Sequence, residues 1–237
     1  MNLPVYFARN ARLYREFRPT VLAPDDDASR IAAAVRKSLA GDAADPDYRS
    51  LWPPTVTVRS VTVQGTQVTV DLGDVGPAPP AGGPPDLAVQ QLVYTVAAAA
   101  TYTSIKRADG VRLLIDGRPA ASLWGTDISG SLHQAPMVDV QAPVWVIEPA
   151  QGAQVGKTFT VYLAGIVFEG TVTLRIRDAT GTLLHEQVVQ LSAGAPALGE
   201  ARVTLQLPAG HYAVEAYYVA MKDGTAQWVD DHDFTVG

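Results

Sequence analysis

A glycine–lysine–threonine segment, GAQVGKT from Gly152 to Thr158, is the sharpest chemical signal in this sequence. A phosphate-binding loop needs four residues between its two glycines and a helix directly after it, so that enough backbone N–H groups surround the phosphates. Here only three residues separate Gly152 from Gly156, and the run FTVYLAGIV that follows is typical of a strand. The segment therefore predicts a turn, and we expect no nucleotide cofactor.

Histidine is the second residue type with catalytic or metal-binding chemistry, and the four histidines lie far apart in the sequence: His133, His185, His211 and His232. His232 belongs to the acidic run DDHD. Because neighbouring residues of a strand face opposite sides, only Asp230 can share a side with His232. We expect no metal site and interpret the run as charges on a solvated edge strand, with a weak calcium site as the alternative.

No other residue pattern predicts catalysis. The sequence has no cysteine, which excludes a thiol nucleophile, a thiolate zinc site and a disulfide. It also lacks the G-x-S-x-G turn of serine hydrolases, and GSLH at Gly130 to His133 lies in a predicted linker region. The 24 acidic residues leave a pair of glycosidase carboxylates as an open alternative.

Basic and aromatic side chains suggest an interaction surface instead. Four arginines follow one another at threefold spacing in ARNARLYREFRP: Arg9, Arg12, Arg15 and Arg18. They indicate either a solvated, partly helical or irregular edge, or a contact with an anionic wall polymer or a partner protein. The rings of Tyr217 and Trp228 are candidates to anchor an interface, although core packing is the commoner role of such residues.

Composition limits the partners further. The net charge of −6 argues against nucleic acid as the main partner, because phosphate binding needs a basic surface. The sequence contains no run of about 18 apolar residues, the length that a helix needs to cross a membrane. The first residues, MNLPVYFARN, have neither the basic nor the apolar region of a signal peptide. Met1 is therefore expected to lie just upstream of a domain.

The first half of the chain mixes helix and strand patterns. LPVYF predicts a strand, SRIAAAVRKSLAG predicts a helix that ends at Gly41, and TVTVRSVTVQGTQVTVDL predicts a β-hairpin. The proline- and glycine-rich segment from Gly73 to Asp86 predicts an exposed loop. LAVQQLVYTVAAAA predicts a second helix, and VRLLID a further strand. This order indicates an α+β domain over residues 1–135, with two helices on one face of a small sheet.

The second half contains only strand patterns. After an aperiodic linker at residues 136–143, seven strand-like runs separated by turn residues indicate an all-β immunoglobulin-like sandwich over residues 144–237. Tyr212 follows the Pro208-Ala209-Gly210 turn. That is the place of a tyrosine corner, in which the hydroxyl bonds a nearby backbone group.

Both halves resemble known bacterial families. From about Pro4 to Gly130, the chain resembles the GerM-type (GerMN) sporulation and spore-germination domain. Five segments carry this resemblance, in this order: VYFARNARL, IAAAVRKSLAG, LWPPTVTVRSVTVQGTQVTVDLG, LAVQQLVYTVAA and VRLLIDGRPA. From Val144 onward, IEPAQGAQV, FEGTVTLRIRDATGTLL and DFTV resemble the immunoglobulin-like domain of bacterial spore germination. The two families commonly occur joined in one chain.

The resemblance implies a protein outside the cytoplasmic membrane, secreted or lipid-anchored, that binds other proteins or the cell wall without catalysis. A link to sporulation or germination is a further expectation from the resemblance, and so is oligomerisation. No cysteine is present to carry a lipid, so such an anchor would lie outside these 237 residues. The alternative function is an accessory domain pair of a peptidoglycan or carbohydrate hydrolase, or a cryptic enzyme of that class.

Overall fold

The computed structural model describes residues 1–78 and 83–237. Residues 79–82 fall inside the predicted exposed loop from Gly73 to Asp86, so that part of the prediction lies outside the described residues. The chain divides into two compact units, Met1–Ala135 and Pro136–Gly237. Each unit is described by itself.

The first unit begins with a two-stranded hairpin of β1 (Asn2–Arg9) and β2 (Arg12–Pro19). Asn10 and Ala11 form its turn with φ of 50° and 55°, the left-handed backbone that two-residue hairpin turns require. The expectation of a partly helical or irregular arginine stretch is therefore wrong. Strand β2 pairs with β1 along its whole length, and Leu13 and Tyr14 between the arginines are buried. The arginines therefore lie on extended strands.

Two helices form where the sequence predicts them. Helix α1 (Asp27–Ala40) begins at Asp26, whose carboxylate accepts the Ser29 N–H at 2.7 Å, and ends at Gly41 with φ 70°. Helix α2 (Pro85–Ala100) starts with a proline, whose missing N–H removes nothing from the first turn. Its Leu, Val and Ala residues are buried around most of its circumference.

The predicted hairpin forms the start of a four-stranded sheet. The sheet has the order β3-β4-β5-β6, with β3 and β4 antiparallel and β4 and β5 parallel. A separate small hairpin pairs β7 with β8. These strands span Thr57–Gln64 (β3), Gln67–Gly73 (β4), Gly110–Ile115 (β5), Arg118–Pro119 (β6), Ser122–Leu123 (β7) and Thr126–Asp127 (β8).

A buried polar network joins the hairpin to both helices. The Gln91 side chain in α2 accepts the Leu51 N–H at 2.8 Å and donates to the Tyr6 carbonyl at 3.1 Å and the Ser38 hydroxyl at 2.9 Å. The Thr95 hydroxyl accepts the Tyr6 N–H at 3.2 Å. The side chains of this network are fully buried: Gln91, Ser38 and Thr95. Their hydrogen bonds therefore satisfy polar groups that water does not reach.

The second unit is a β-sandwich with one strand more than the seven expected. One sheet has five strands in the order β10-β16-β15-β12-β13, and the other has three in the order β14-β11-β9. The additional strand is β10, which pairs in parallel with β16. The elements are α3 (Met137–Val140), β9 (Val144–Glu148), β10 (Ala153–Val155), β11 (Thr158–Gly165), a 3₁₀ turn (Phe168–Gly170), β12 (Thr171–Asp178), β13 (Leu183–Gln190), β14 (Gly199–Gln206), β15 (Gly210–Val219) and β16 (Ala226–Val236).

The tyrosine corner is confirmed. The Tyr212 hydroxyl donates to the Pro208 carbonyl at 3.0 Å, and the ring packs at 5.8 Å from that of Phe234 in the core between the sheets. Gly210 allows this arrangement, because a Cβ on it would lie only 3.0 Å from the Tyr212 hydroxyl oxygen. The hydrogen bond therefore ties the β14–β15 connection to the core.

Candidate functional site

The GAQVGKT segment is not a single turn as predicted: Gly152 ends a turn, Ala153–Val155 form β10, and Gly156 and Lys157 connect β10 to β11. Gly152 has φ 72° and precedes β10, and Thr158 begins β11. No helix follows the segment, so its backbone N–H groups have no helix N-terminus to complete a phosphate cradle.

The interpretation of the acidic run DDHD as charges on a solvated edge strand is wrong for Asp230 and His232, whereas Asp231 and Asp233 are exposed. Strand β16 lies between β10 and β15, and both Asp230 and His232 are fully buried on its inner side. The Asp230 carboxylate accepts the Val146 N–H at 2.8 Å, and His232 Nδ1 bonds the Pro149 carbonyl at 2.8 Å. Within the described ranges, no three histidine or acidic side chains group together as metal ligands.

Two of the four arginines of the hairpin form ion pairs with acidic groups of their own domain. Arg9 forms an ion pair with Asp47 at 2.9 Å, and Arg18 forms one with Asp42 at 3.3 Å. Alternation along β2 places Arg12 and Arg18 on one side and Arg15 on the other, where its guanidinium lies 5.5 Å from the ring centre of Phe17. The threefold spacing therefore does not gather the four charges into one patch.

The two candidate aromatic residues differ in accessibility. Tyr217 is only 3 % exposed, because the Arg175 guanidinium covers its ring at 4.5 Å from the centroid. Burial raises the pKa of its hydroxyl. The expectation that Tyr217 is an exposed anchor is therefore wrong. Trp228 is half-buried, with φ 54°.

A groove in the sandwich domain is the feature best built for binding. It has a volume of about 490 Å³ and lies between the 3₁₀ turn, strands β12, β13 and β15, and the turn after β15. Three of its apolar side chains protrude into solvent: Phe168 is 71 % exposed, Val188 73 % and Met221 89 %. Large apolar residues that cluster in an exposed concave surface are typical of a protein contact.

Backbone packing holds the Phe168 wall of this groove in place. The Ala195 N–H donates to the Val167 carbonyl at 2.9 Å, and the Leu191 N–H to the Gly170 carbonyl at 2.7 Å. A Cβ on Gly170 would lie 2.6 Å from the Ala193 carbonyl oxygen, so only glycine fits this approach. The wall is therefore preorganised, which lowers the entropy lost on binding.

Glu169 is the acidic residue of the groove lining. It has φ 59° and ψ 0°, the left-handed conformation that side chains other than those of glycine, asparagine and aspartate rarely adopt. Elsewhere on this sheet Glu186 is paired with Arg175 and Glu215 with Arg177. The Arg175 hydrogen bond keeps the pKa of Glu186 below its ordinary value.

No pattern in the sequence predicts this groove. Two of its three protruding side chains come from turns, Phe168 before Glu169-Gly170 and Met221 before Lys222-Asp223-Gly224. Strand periodicity does not extend into turns, so only the local composition, a large apolar residue next to turn-forming residues, could have indicated exposure.

Comparison with known proteins assigns a family to each unit. The family described as sporulation and spore germination matches residues 4–121, and the family described as immunoglobulin-like domain of bacterial spore germination matches residues 143–225. Both resemblances seen in the sequence are thereby confirmed. No curated protein matches the chain.

Several solved structures are similar to parts of the chain. The tandem GerMN domains of the sporulation protein GerM from Bacillus subtilis share 15 % identity over 87 % of this chain and 61 % of that chain, with a TM-score of 0.44. A protein designated a lipoprotein from Clostridium perfringens shares 15 % identity over 60 % of this chain and 92 % of its own, with a TM-score of 0.38. CopC from Methylosinus trichosporium shares 22 % identity over 39 % and 92 %, with a TM-score of 0.27.

Proposed function

Since this chain joins a domain of the sporulation and spore germination family to an immunoglobulin-like domain of bacterial spore germination, we propose that it is a non-catalytic binding protein of the bacterial envelope. It acts outside the cytoplasmic membrane and contacts another protein through the groove of its sandwich domain. No described helix is long and apolar enough to cross a membrane.

The single observation that supports binding is the exposure of Phe168, Val188 and Met221 around one groove. Keeping three large apolar side chains in water is unfavourable by about 25 cal/mol for each Å² of apolar surface, and a partner that covers them recovers this free energy. The apolar lining favours a protein over a hydrophilic wall polymer as the partner.

Site-specific crosslinking in the native cells tests this proposal. A photoreactive phenylalanine analogue at position 168 should crosslink one partner, and Val188→Ser combined with Met221→Ser should reduce that crosslink at least about tenfold. Leu184→Ser is the matched control, because Leu184 is also exposed on β13 but does not line the groove. Equal crosslinking by the double variant, or recovery of the protein in the cytosol, would reject the proposal.

A second measurement tests the non-catalytic part of the proposal against the hydrolase alternative. The purified protein is incubated with peptidoglycan, and both sedimentation and release of soluble fragments are followed. We expect no release. Fragments that appear with the protein and not with a heat-denatured sample would establish catalysis and overturn this part.

A further inference from the structure

We infer that the groove selects a partner segment in which a large apolar side chain lies next to a lysine or arginine, and that Glu169 reads the positive charge. This inference rests on the proposed function, since it specifies the partner of the same groove. The apolar walls and the carboxylate supply the two parts of the argument.

The apolar part follows from the shape of the lining. Phe168 and Met221 are contributed by two separate turns, and Val188 comes from β13. A volume of about 490 Å³ lies within the range of about 300–1,000 Å³ that is typical of ligand-binding clefts. A hydrophilic segment would not bury the apolar surface of these walls away from water. The occupant must therefore be apolar where it enters the groove.

The charged part follows from how the neighbouring charges are paired. Glu186 and Glu215 are each neutralised by an arginine of β12. The Glu169 carboxylate has no ion pair among the described residues. Lys222 and Asp223 adjoin in the next turn but do not line the groove, and Glu169 is the one charged residue of its lining. The groove therefore presents one uncompensated negative charge, which attracts a cation and repels an anion.

Glu169 lies in the left-handed backbone region, as do seven other non-glycine residues of the described chain. A non-glycine residue with φ 59° is strained, because its Cβ crowds the following carbonyl oxygen. Glycine would relieve that strain, so glutamate at this position disfavours the fold locally. An anionic membrane surface fits less well, because the same carboxylate would oppose its charge.

Three labelled eight-residue peptides test the inference with the full chain: alternating leucine and lysine, alternating leucine and glutamate, and alternating serine and lysine. Fluorescence anisotropy should show that the leucine–lysine peptide binds about tenfold or more tightly than the other two. Glu169→Gln should weaken that peptide about three- to tenfold and leave the leucine–glutamate peptide unweakened. Val188→Ser with Met221→Ser should abolish binding.

Two control variants match these changes. Asp116→Asn removes a carboxylate from the other unit at a position with φ 50°, which asparagine tolerates. Leu184→Ser removes an exposed apolar side chain of β13 outside the groove. Both should bind the leucine–lysine peptide as the unmodified chain does. If Leu184→Ser weakens it as much as the groove variants do, binding through the groove is refuted.

Other outcomes separate this inference from the proposed function. If both leucine peptides bind equally and Glu169→Gln has no effect, charge selection is wrong but the groove remains a binding site. If none of the peptides binds, the inference fails, and the crosslinking experiment alone decides the proposed function. Self-association, or sedimentation with phosphatidylglycerol–phosphatidylethanolamine vesicles, that the Val188→Ser, Met221→Ser variant abolishes would assign the groove to a second copy or to lipid and overturn the inference.

Discussion

The carboxylate of Asp230 accepts a hydrogen bond from the backbone N–H of Val146 at 2.8 Å. Val146 belongs to β9, the end strand of the three-stranded sheet, whereas Asp230 belongs to β16 in the opposite sheet. A buried acceptor from one sheet thus satisfies a donor on an edge of the other. The acidic run that suggested a metal or a solvated edge contributes a cross-link between the sheets.

Asp230→Ala should lower the free energy of unfolding of the sandwich by about 2–4 kcal/mol, because it leaves the buried Val146 N–H without an acceptor. Asp230→Asn retains an amide oxygen at the same place and should cost clearly less. Chemical denaturation followed by tryptophan fluorescence measures both. Equal losses for the two variants would contradict a role based on the hydrogen bond.

Tyr212→Phe should destabilise the sandwich by about 0.5–1.5 kcal/mol, the usual net contribution of one hydrogen bond. The ring remains packed beside Phe234, so the loss reports the bond from the hydroxyl to the Pro208 carbonyl. Tyr102→Phe, at an exposed ring, is the control and should change little. Thermal unfolding of the unmodified chain, Tyr212→Phe and Tyr102→Phe measures the effect. An unchanged midpoint for Tyr212→Phe would show that the hydroxyl bond does not stabilise the sandwich.

Two adjacent glutamines of α2 provide a matched test of burial. Gln91→Ala should destabilise the first unit by about 2–4 kcal/mol, because it leaves buried groups of Leu51 and Tyr6 unsatisfied. Gln90→Ala also removes two hydrogen bonds, to His133 and Ala135, but at a site that water reaches. Its cost should be below about 1 kcal/mol. Comparable losses in urea denaturation would show that burial does not set the difference.

The Asp27 carboxylate should titrate below its ordinary range, because the side chain and the backbone N–H of Ser104 both donate hydrogen bonds to it and lower its pKa. A lowered folded-state pKa gives stability that is present above about pH 4 and is lost as the pH falls through the folded value. Ser104→Ala should raise the pKa of Asp27 toward its ordinary value. Carboxyl NMR titration measures this, with Asp223 as a control; an unchanged Asp27 titration would refute the account.

Glu169→Gly should leave the sandwich as stable as before or raise its free energy of unfolding by up to about 1 kcal/mol, because glycine adopts φ 59° without strain. The same change should weaken binding of the leucine–lysine peptide. Differential scanning calorimetry measures the first effect. A marked loss of stability would mean that the Glu169 side chain supports the fold, and its strain would then say nothing about binding.

The sequence predicted elements wherever local physics sets the structure. Helix α1 has an acidic cap before it and Gly41 after it, and the β3–β4 hairpin has strand alternation on both sides of a turn. Tyr212 was predicted because its position relative to the Pro208–Gly210 turn is enough to indicate its bond.

The remaining features depend on contacts that are distant in sequence. The sequence predicts an irregular edge for the arginines of β2, whereas they pair with β1. That pairing depends on the positive φ values of Asn10 and Ala11, which the arginine spacing does not indicate. Asp230 read as solvated because its partner, Val146, lies 84 residues away. The groove unites Phe168, Val188 and Met221 from three separate segments, and no spacing in the chain indicates that they meet.

Strand β16 also constrains the order in which the molecule can be built. It supplies Phe234 and Val236 to the core and Asp230 to the cross-link, and it separates β10 from β15. When the chain leaves a ribosome or an export channel from its amino end, residues 1–135 are all available while the sandwich still lacks this strand. The first unit can fold early, but the sheet of the second unit lacks the strand between β10 and β15 until residue 236 emerges. A fragment that stops at residue 225, where the family match ends, would leave β10 unpaired and one edge of β15 open, a state prone to aggregation.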